Sequence, residues 1–181
     1  MTTVRLRQFG DPILRTPARH ISKAEIRSDE IQGLITDMKQ YNEAKRYGVG
    51  LAAPQYGVGV ALSIIGVKPT PNHPEFETFD GVIINPTYHG IGRRTGMWEG
   101  CQSGGLGRDT LYAKALRYRR IKAMWYDEHA RQHTEELDGF IAHVFQHETD
   151  HLNGILFIDR VRDRTTFMMA SEYRKREMKH K

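Results

Sequence analysis

Gly139-Phe140-Ile141-Ala142-His143-Val144-Phe145-Gln146-His147-Glu148-Thr149-Asp150-His151-Leu152 is one apolar-striped run: Phe140, Ile141, Val144, Phe145 and Leu152 recur at helical spacing, and Asn153-Gly154 follows as a stop. Within it His147-Glu148-Thr149-Asp150-His151 puts two imidazoles one turn apart on one helix face, aimed at a common metal. Glu148 stands beside them as a carboxylate suited to take a proton from water on that metal. Taken alone, the string reads equally as two solvated histidines. Asp150 is either a partner that orients a ligand or a surface residue.

Two imidazoles leave a coordination shell incomplete, and the candidate third ligand is Cys101, the sole cysteine. It lies in Trp98-Glu99-Gly100-Cys101-Gln102-Ser103-Gly104-Gly105, where glycines allow close backbone approach or simply make a turn. A lone cysteine is otherwise a small buried hydrophobe. Upstream, Gly48-Val49-Gly50-Leu51-Ala52-Ala53-Pro54-Gln55 reads as a close-packed wall ending in a neutral donor, Gln55, for a developing oxyanion. The competing reading is a structural turn with Gln55 exposed.

Outward from the site, Ile31, Leu34, Ile35, Met38 and Tyr41 predict a helix over about 28–46, capped by Ser28 or Asp29 and ended by Gly48. Val58–Val67 and Phe79–Asn85 are β-branched runs that suit strands, and Tyr118–Tyr126 with Gln132–Leu137 brackets a hairpin turn at Asp127-Glu128-His129-Ala130. Residues 163–180 have helical composition, with Phe167, Met168, Ala170 and Tyr173 for packing. The expected fold is α+β: antiparallel strands packed around a central metal-binding helix, with an N-terminal and a C-terminal helix.

The chain has 181 residues, 39% of them hydrophobic and 27% charged, which suits one soluble domain, residues 1–181. No apolar run approaches the ~18 residues of a membrane span, and the first ten residues lack a signal-peptide core, so a cytoplasmic protein is expected. One cysteine excludes an intrachain disulfide. The net charge of +5 equals the surplus in the basic segment 160–181, eight Lys/Arg against three Asp/Glu; it is a solvated helix face or a footprint for a polyanion such as RNA.

Together, in this order, Gly-Val-Gly-Leu-Ala-Ala-Pro-Gln, Glu-Gly-Cys-x-Ser and Gln-His-Glu-x-Asp-His-Leu resemble the three motifs of the peptide deformylases. Gly10-Asp11-Pro12-Ile13-Leu14-Arg15, Ile84-Asn85-Pro86 and residues 153–160 extend the resemblance over nearly the whole chain. It implies hydrolysis of the formyl group from N-formylmethionyl peptides, with release of formate. The implied cofactor is one divalent metal, Fe(II) first, with Zn(II), Ni(II) or Co(II) able to replace it. Carried over, Cys101, His147 and His151 are ligands and Glu148 is the acid/base. Gln55 and the backbone N–H of Gln102 hold the oxyanion, and Gly50 and Gly100 contact the peptide. Val49, Phe140, His143 and Val144 line the methionine pocket, and Arg108 is a substrate-side arginine. The resemblance also suggests ribosome docking through the basic C-terminal segment, and neither membrane nor DNA as a partner.

The sequence departs from the family pattern at Gln102, where leucine is usual, at Gly104-Gly105, which would make a more flexible strand, and at His143, where an apolar residue or arginine is usual. These changes leave open a deformylase-like amidohydrolase for another N-formyl compound, or a weak family member that only binds nascent chains or ribosomes.

Overall fold

A computed structural model of the chain describes residues 5–44, 49–71 and 73–177. Helix α1 is Lys23–Ile26, closed by a capping box between Ser22 and Glu25. Helix α2 is Asp29–Ala44, and Ser28 Oγ accepts from the Ile31 N–H, which settles its cap. The expected last residues of that helix and its Gly48 stop lie outside the described residues. Strand β1 is Gly50–Ala52, helix α3 Ala53–Tyr56, strand β2 Leu62–Val67 and strand β3 Phe79–Gly100. Then follow β4 (Leu111–Tyr126), β5 (Gln132–Asp138), α4 (Gly139–Leu152), β6 (Met168–Met169) and α5 (Ala170–Glu177).

The strands form one antiparallel sheet in the order β1-β2-β3-β4-β5, with β6 on β4. β2, and the Val82–Ile84 stretch of β3 that pairs with it, are buried on both faces. Leu62, Ile64, Val82 and Ile84 meet Ile31, Ile35 and Met38 of α2, while Ile65, Ile83, Ile121 and Ala123 meet Ala142 and Phe145 of α4. The two-residue period of the strands sorts these sets onto opposite faces, with α2 on one side and the histidine helix on the other. Each of the larger of these side chains, from valine upward, stabilises the fold by roughly 1.5–3 kcal/mol.

Several expectations are corrected. β2 begins at Leu62, because Val58–Ala61 is committed to a crossing where Arg19 bridges Val60. β3 runs 22 residues, well beyond Asn85, because the register shifts at Ile84/Thr87 and Ile91/Arg94 absorb Pro86 and Gly92 without ending the strand. β4 starts seven residues before Tyr118, at Leu111, to pair with it. The C-terminal helix starts only at Ala170, since Met168 and Met169 pair with Tyr112 and Leu111.

Candidate metal centre and its cavity

α4 presents His147 and His151 on one face, with Nε2 atoms 3.2 Å apart, and Cys101 Sγ lies 3.2 Å from His151 Nε2. The ligand atoms of Cys101, His147 and His151 all lie within 4.8 Å of one another. Ligands about 2.0–2.3 Å from a tetrahedral ion stand a little over 3 Å apart, so this set fits a divalent metal. Cys101 arrives from the end of β3, and burial opposes its ionisation. His151 and His147 outweigh that and hold the thiol well below its usual value, ready to ligate.

Glu148 is buried, with Oε2 lacking a protein partner among the described residues. Burial pushes its carboxyl up to about 7 against the pull of His147 and His151. Gln55 is buried, which removes the exposed-turn reading: its Oε1 accepts from the Ala52 N–H at 2.9 Å, and its Nε2 points at Cys101 Sγ (3.4 Å) and Ser103 Oγ (3.2 Å). The N-terminal segment stitches these pieces together. The Arg7 N–H donates to Gln55 O, the Phe9 N–H to Ser103 O and Gln8 Nε2 to Gln102 O.

Asp150 is buried too, which decides its role. It accepts from Arg160 at 2.7 and 2.9 Å and from Arg117 Nη1 at 2.5 Å. Arg117, 1% exposed, also holds Glu99 through Nε (2.9 Å) and Nη2 (2.7 Å), and Glu99 accepts from His147 Nδ1 at 2.5 Å. That bond fixes the His147 tautomer, with Nε2 as the free donor to a metal. Burial opposes ionisation of Glu99, but His147, Arg117 and His143 hold its carboxyl well below the ordinary range. Sequence reasoning missed Glu99 and Arg117. The available signal was a charged residue in the inward row Ala113, Ala115, Arg117 of β4.

A cavity of about 530 Å³ opens beside these groups. Val49, Gly50, Gly100, Phe140, His143 and Val144 line it, with Gln55, Cys101, Gln102, His147 and Glu148. Arg108 does not; it sits exposed on the turn Gly107–Asp109. Unforeseen walls come from His73, stacked on Phe76 at 4.5 Å, from Phe76, stacked in turn on Phe140 at 4.3 Å, and from Tyr173 of α5, stacked on Tyr112 at 4.4 Å. Gln102–Gly104 is a 3-10 turn and not a flexible strand, and Gly105 takes φ +114, where a methyl group would meet Asp109 O at 2.1 Å.

A Cys/His/His set with a buried carboxylate next to it on a helix backed by an antiparallel sheet defines a metal-dependent hydrolase. Residues 3–167 match the polypeptide deformylase family. A peptide deformylase of Leptospira biflexa is 35% identical over 174 residues, covering 92% of each chain. One from Microchaete diplosiphon is 36% identical, covering 87% of this chain and 79% of its own. Among solved structures, the Synechococcus elongatus enzyme in complex with actinonin superposes with a TM-score of 0.76 at 34% identity, covering 92% of this chain and 82% of its own. The Met-Ala-Ser-bound class I type b enzyme of Acinetobacter baumannii gives 0.78 at 28%, covering 87% and 98%. The chain belongs to the polypeptide deformylase family, metalloenzyme hydrolases that remove N-formyl groups from peptides. These comparisons do not favour a different N-formyl compound as substrate.

Proposed function

We propose that this chain hydrolyses the formyl group of N-formylmethionyl peptides, with Cys101, His147 and His151 holding one divalent metal. The observation that carries the reading is the convergence of these three ligand atoms within 4.8 Å, with Cys101 and His151 buried and the buried Glu148 next to His147 on α4. A metal there supplies a charge that makes water nucleophilic near neutral pH. Glu148 takes the proton from the attacking water and passes it to the amine nitrogen as the C–N bond breaks, leaving formate. Gln55 Nε2 and the Gln102 backbone N–H donate to the formyl oxygen as it becomes anionic.

Gly50 and Gly100 contact the peptide backbone, and Val49, Phe140, His143 and Val144 receive the methionine side chain. Arg108 takes its substrate-side role only where a peptide extends beyond the cavity. A thiolate ligand suits Fe(II) as the working metal, with Zn(II), Ni(II) or Co(II) as substitutes. Residues 1–181 act as one catalytic domain in the cytoplasm, without membrane or DNA partners, and segment 160–181 docks on ribosomal RNA. No helix among the described residues is long and apolar enough to cross a membrane.

The test is formate release from formyl-Met-Ala-Ser by anaerobically purified protein loaded with Fe(II) or Ni(II). Release that disappears in Glu148→Ala and is not matched by acetate from the acetyl peptide is expected. No release from loaded protein, or cleavage of an unformylated peptide, overturns the reading.

A further inference from the structure

Glu99 accepts a full complement of hydrogen bonds inside the protein. A carboxylate offers about four lone-pair sites. Here Oε1 takes Arg117 Nη2 (2.7 Å) and His147 Nδ1 (2.5 Å), while Oε2 takes Arg117 Nε (2.9 Å) and His143 Nε2 (2.7 Å). Each oxygen thus holds one guanidinium and one imidazole N–H; Glu99, Arg117 and His143 are buried and His147 is partly so. His143 and His147 stand one turn apart on α4 and straddle the carboxylate, and His143 also lines the cavity.

We propose that His143 is a positioning residue for His147, acting through Glu99: the same side chain is a wall of the substrate pocket and the brace of a metal ligand's partner. Arg117 grips both oxygens along one edge, and its Nη1 is committed to Asp150, so the guanidinium is a fixed base. The two histidines then oppose each other across the carboxylate. Without His143, Oε2 keeps only its bond from Arg117, and no imidazole balances the pull of His147 on Oε1. The orientation of the His147 ring, and with it the aim of Nε2, loosens.

This inference rests on the metal site proposed above, and the test separates the two. Co(II) is loaded anaerobically into wild type, His143→Leu, His143→Gln and Val144→Ala, and its loss to excess chelator is followed through the visible absorption of the bound ion. His143→Leu is expected to lose Co(II) roughly 10-fold faster, with an altered spectrum, as outer partners of metal ligands generally do when removed. His143→Gln, whose amide can still donate to Glu99, is expected to restore retention. Val144→Ala, which trims the pocket away from Glu99, should hold Co(II) as wild type does while KM changes.

A His143→Leu protein that releases Co(II) at the wild-type rate and changes only KM makes His143 a pocket wall and overturns the inference alone. A wild type that takes up no Co(II) overturns the metal centre and the inference with it. If His143→Leu does not fold, His143→Ala replaces it: rapid loss in Ala with retention in Gln supports the coupling, and wild-type rates in both overturn it.

Discussion

A methyl group on Gly50 would stand 2.2 Å from Oε1 of Glu148. β1 therefore passes so close to α4 that glycine leaves room for Glu148, the proposed acid/base, to hold this position, and the first motif shapes that side chain's place. Gly50→Ala should fold and load metal, because β1 keeps its pairing with β2. Its kcat should fall roughly 100-fold, the scale of losing a positioned acid/base. Metal content and formate release measured on one preparation check this; a loss of metal in parallel with activity would contradict it.

Burial raises the Glu148 carboxyl from an ordinary 4.5 to about 7. Between those pH values the unfolded chain gives up this proton while the folded metal-free protein keeps it, so wild-type stability falls as pH rises across the window. Gln in place of Glu has no proton to lose. Metal-free Glu148→Gln should gain on wild type from pH 4.5 to 7 and hold a constant advantage above, on the order of 3 kcal/mol at most. Urea midpoints at pH 5, 6, 7 and 8 decide it, and parallel curves would count against the shift.

Arg117 joins Glu99 to Asp150, and each would remain buried without it. Arg117→Met should cost about 3–5 kcal/mol, since breaking a buried ion pair strands its partners. For a chain of this size that lowers Tm by roughly 10 °C. Calorimetry of the metal-free pair gives the answer; a change of a degree or two would mean that Arg160 and the histidines suffice.

Asp127 closes the β4–β5 hairpin by accepting from the backbone N–H groups of His129 and Arg131 and from the side chains of Arg131 and His133. Burial opposes ionisation, but these donors, His133 foremost, hold the carboxyl well below the ordinary range. Its stabilisation is complete above the unfolded value of about 4 and is lost as pH falls below it toward the folded value. Asp127→Asn should be ~1–2 kcal/mol less stable at pH 6, with the gap closing below about pH 4. Acid titration of the two proteins by circular dichroism would expose a gap that fails to close.

Ribosome docking is better tested by charge than by truncation. Removing everything after Arg162 also removes Tyr173, which lines the cavity and stacks on Tyr112, so binding and catalysis would change together. Arg174, Lys175 and Arg176 are exposed on α5. Reversing all three to Glu should abolish salt-sensitive cosedimentation with ribosomes and leave formate release from a short peptide intact. Unchanged cosedimentation would remove the basic helix from the docking proposal.

What the sequence determined by itself is what local covalent geometry carries. The four-residue spacing from His147 to His151 makes one helical turn wherever that helix sits, and the apolar stripe from Phe140 to Leu152 specifies the helix. The turn at Asp127–Ala130, the α2 stripe and the Asn153-Gly154 stop were legible for the same reason. The three motifs together identified the family, although the depth of β3 did not follow from them. Its strand continues past Asn85 only because β4 lies alongside to pair with it, a partner that local propensity does not register.

Tertiary structure decided the rest. Glu99 and Asp150 are 51 residues apart and become one network only because Arg117 enters between them from a third element. Gly50 is needed because β1 crosses Glu148, and Tyr173 reaches the cavity because β6 pairs with β4. In each case the deciding quantity is burial against a distant neighbour. A carboxylate's charge, a ligand's tautomer and the room for a side chain depend on what the fold packs beside them.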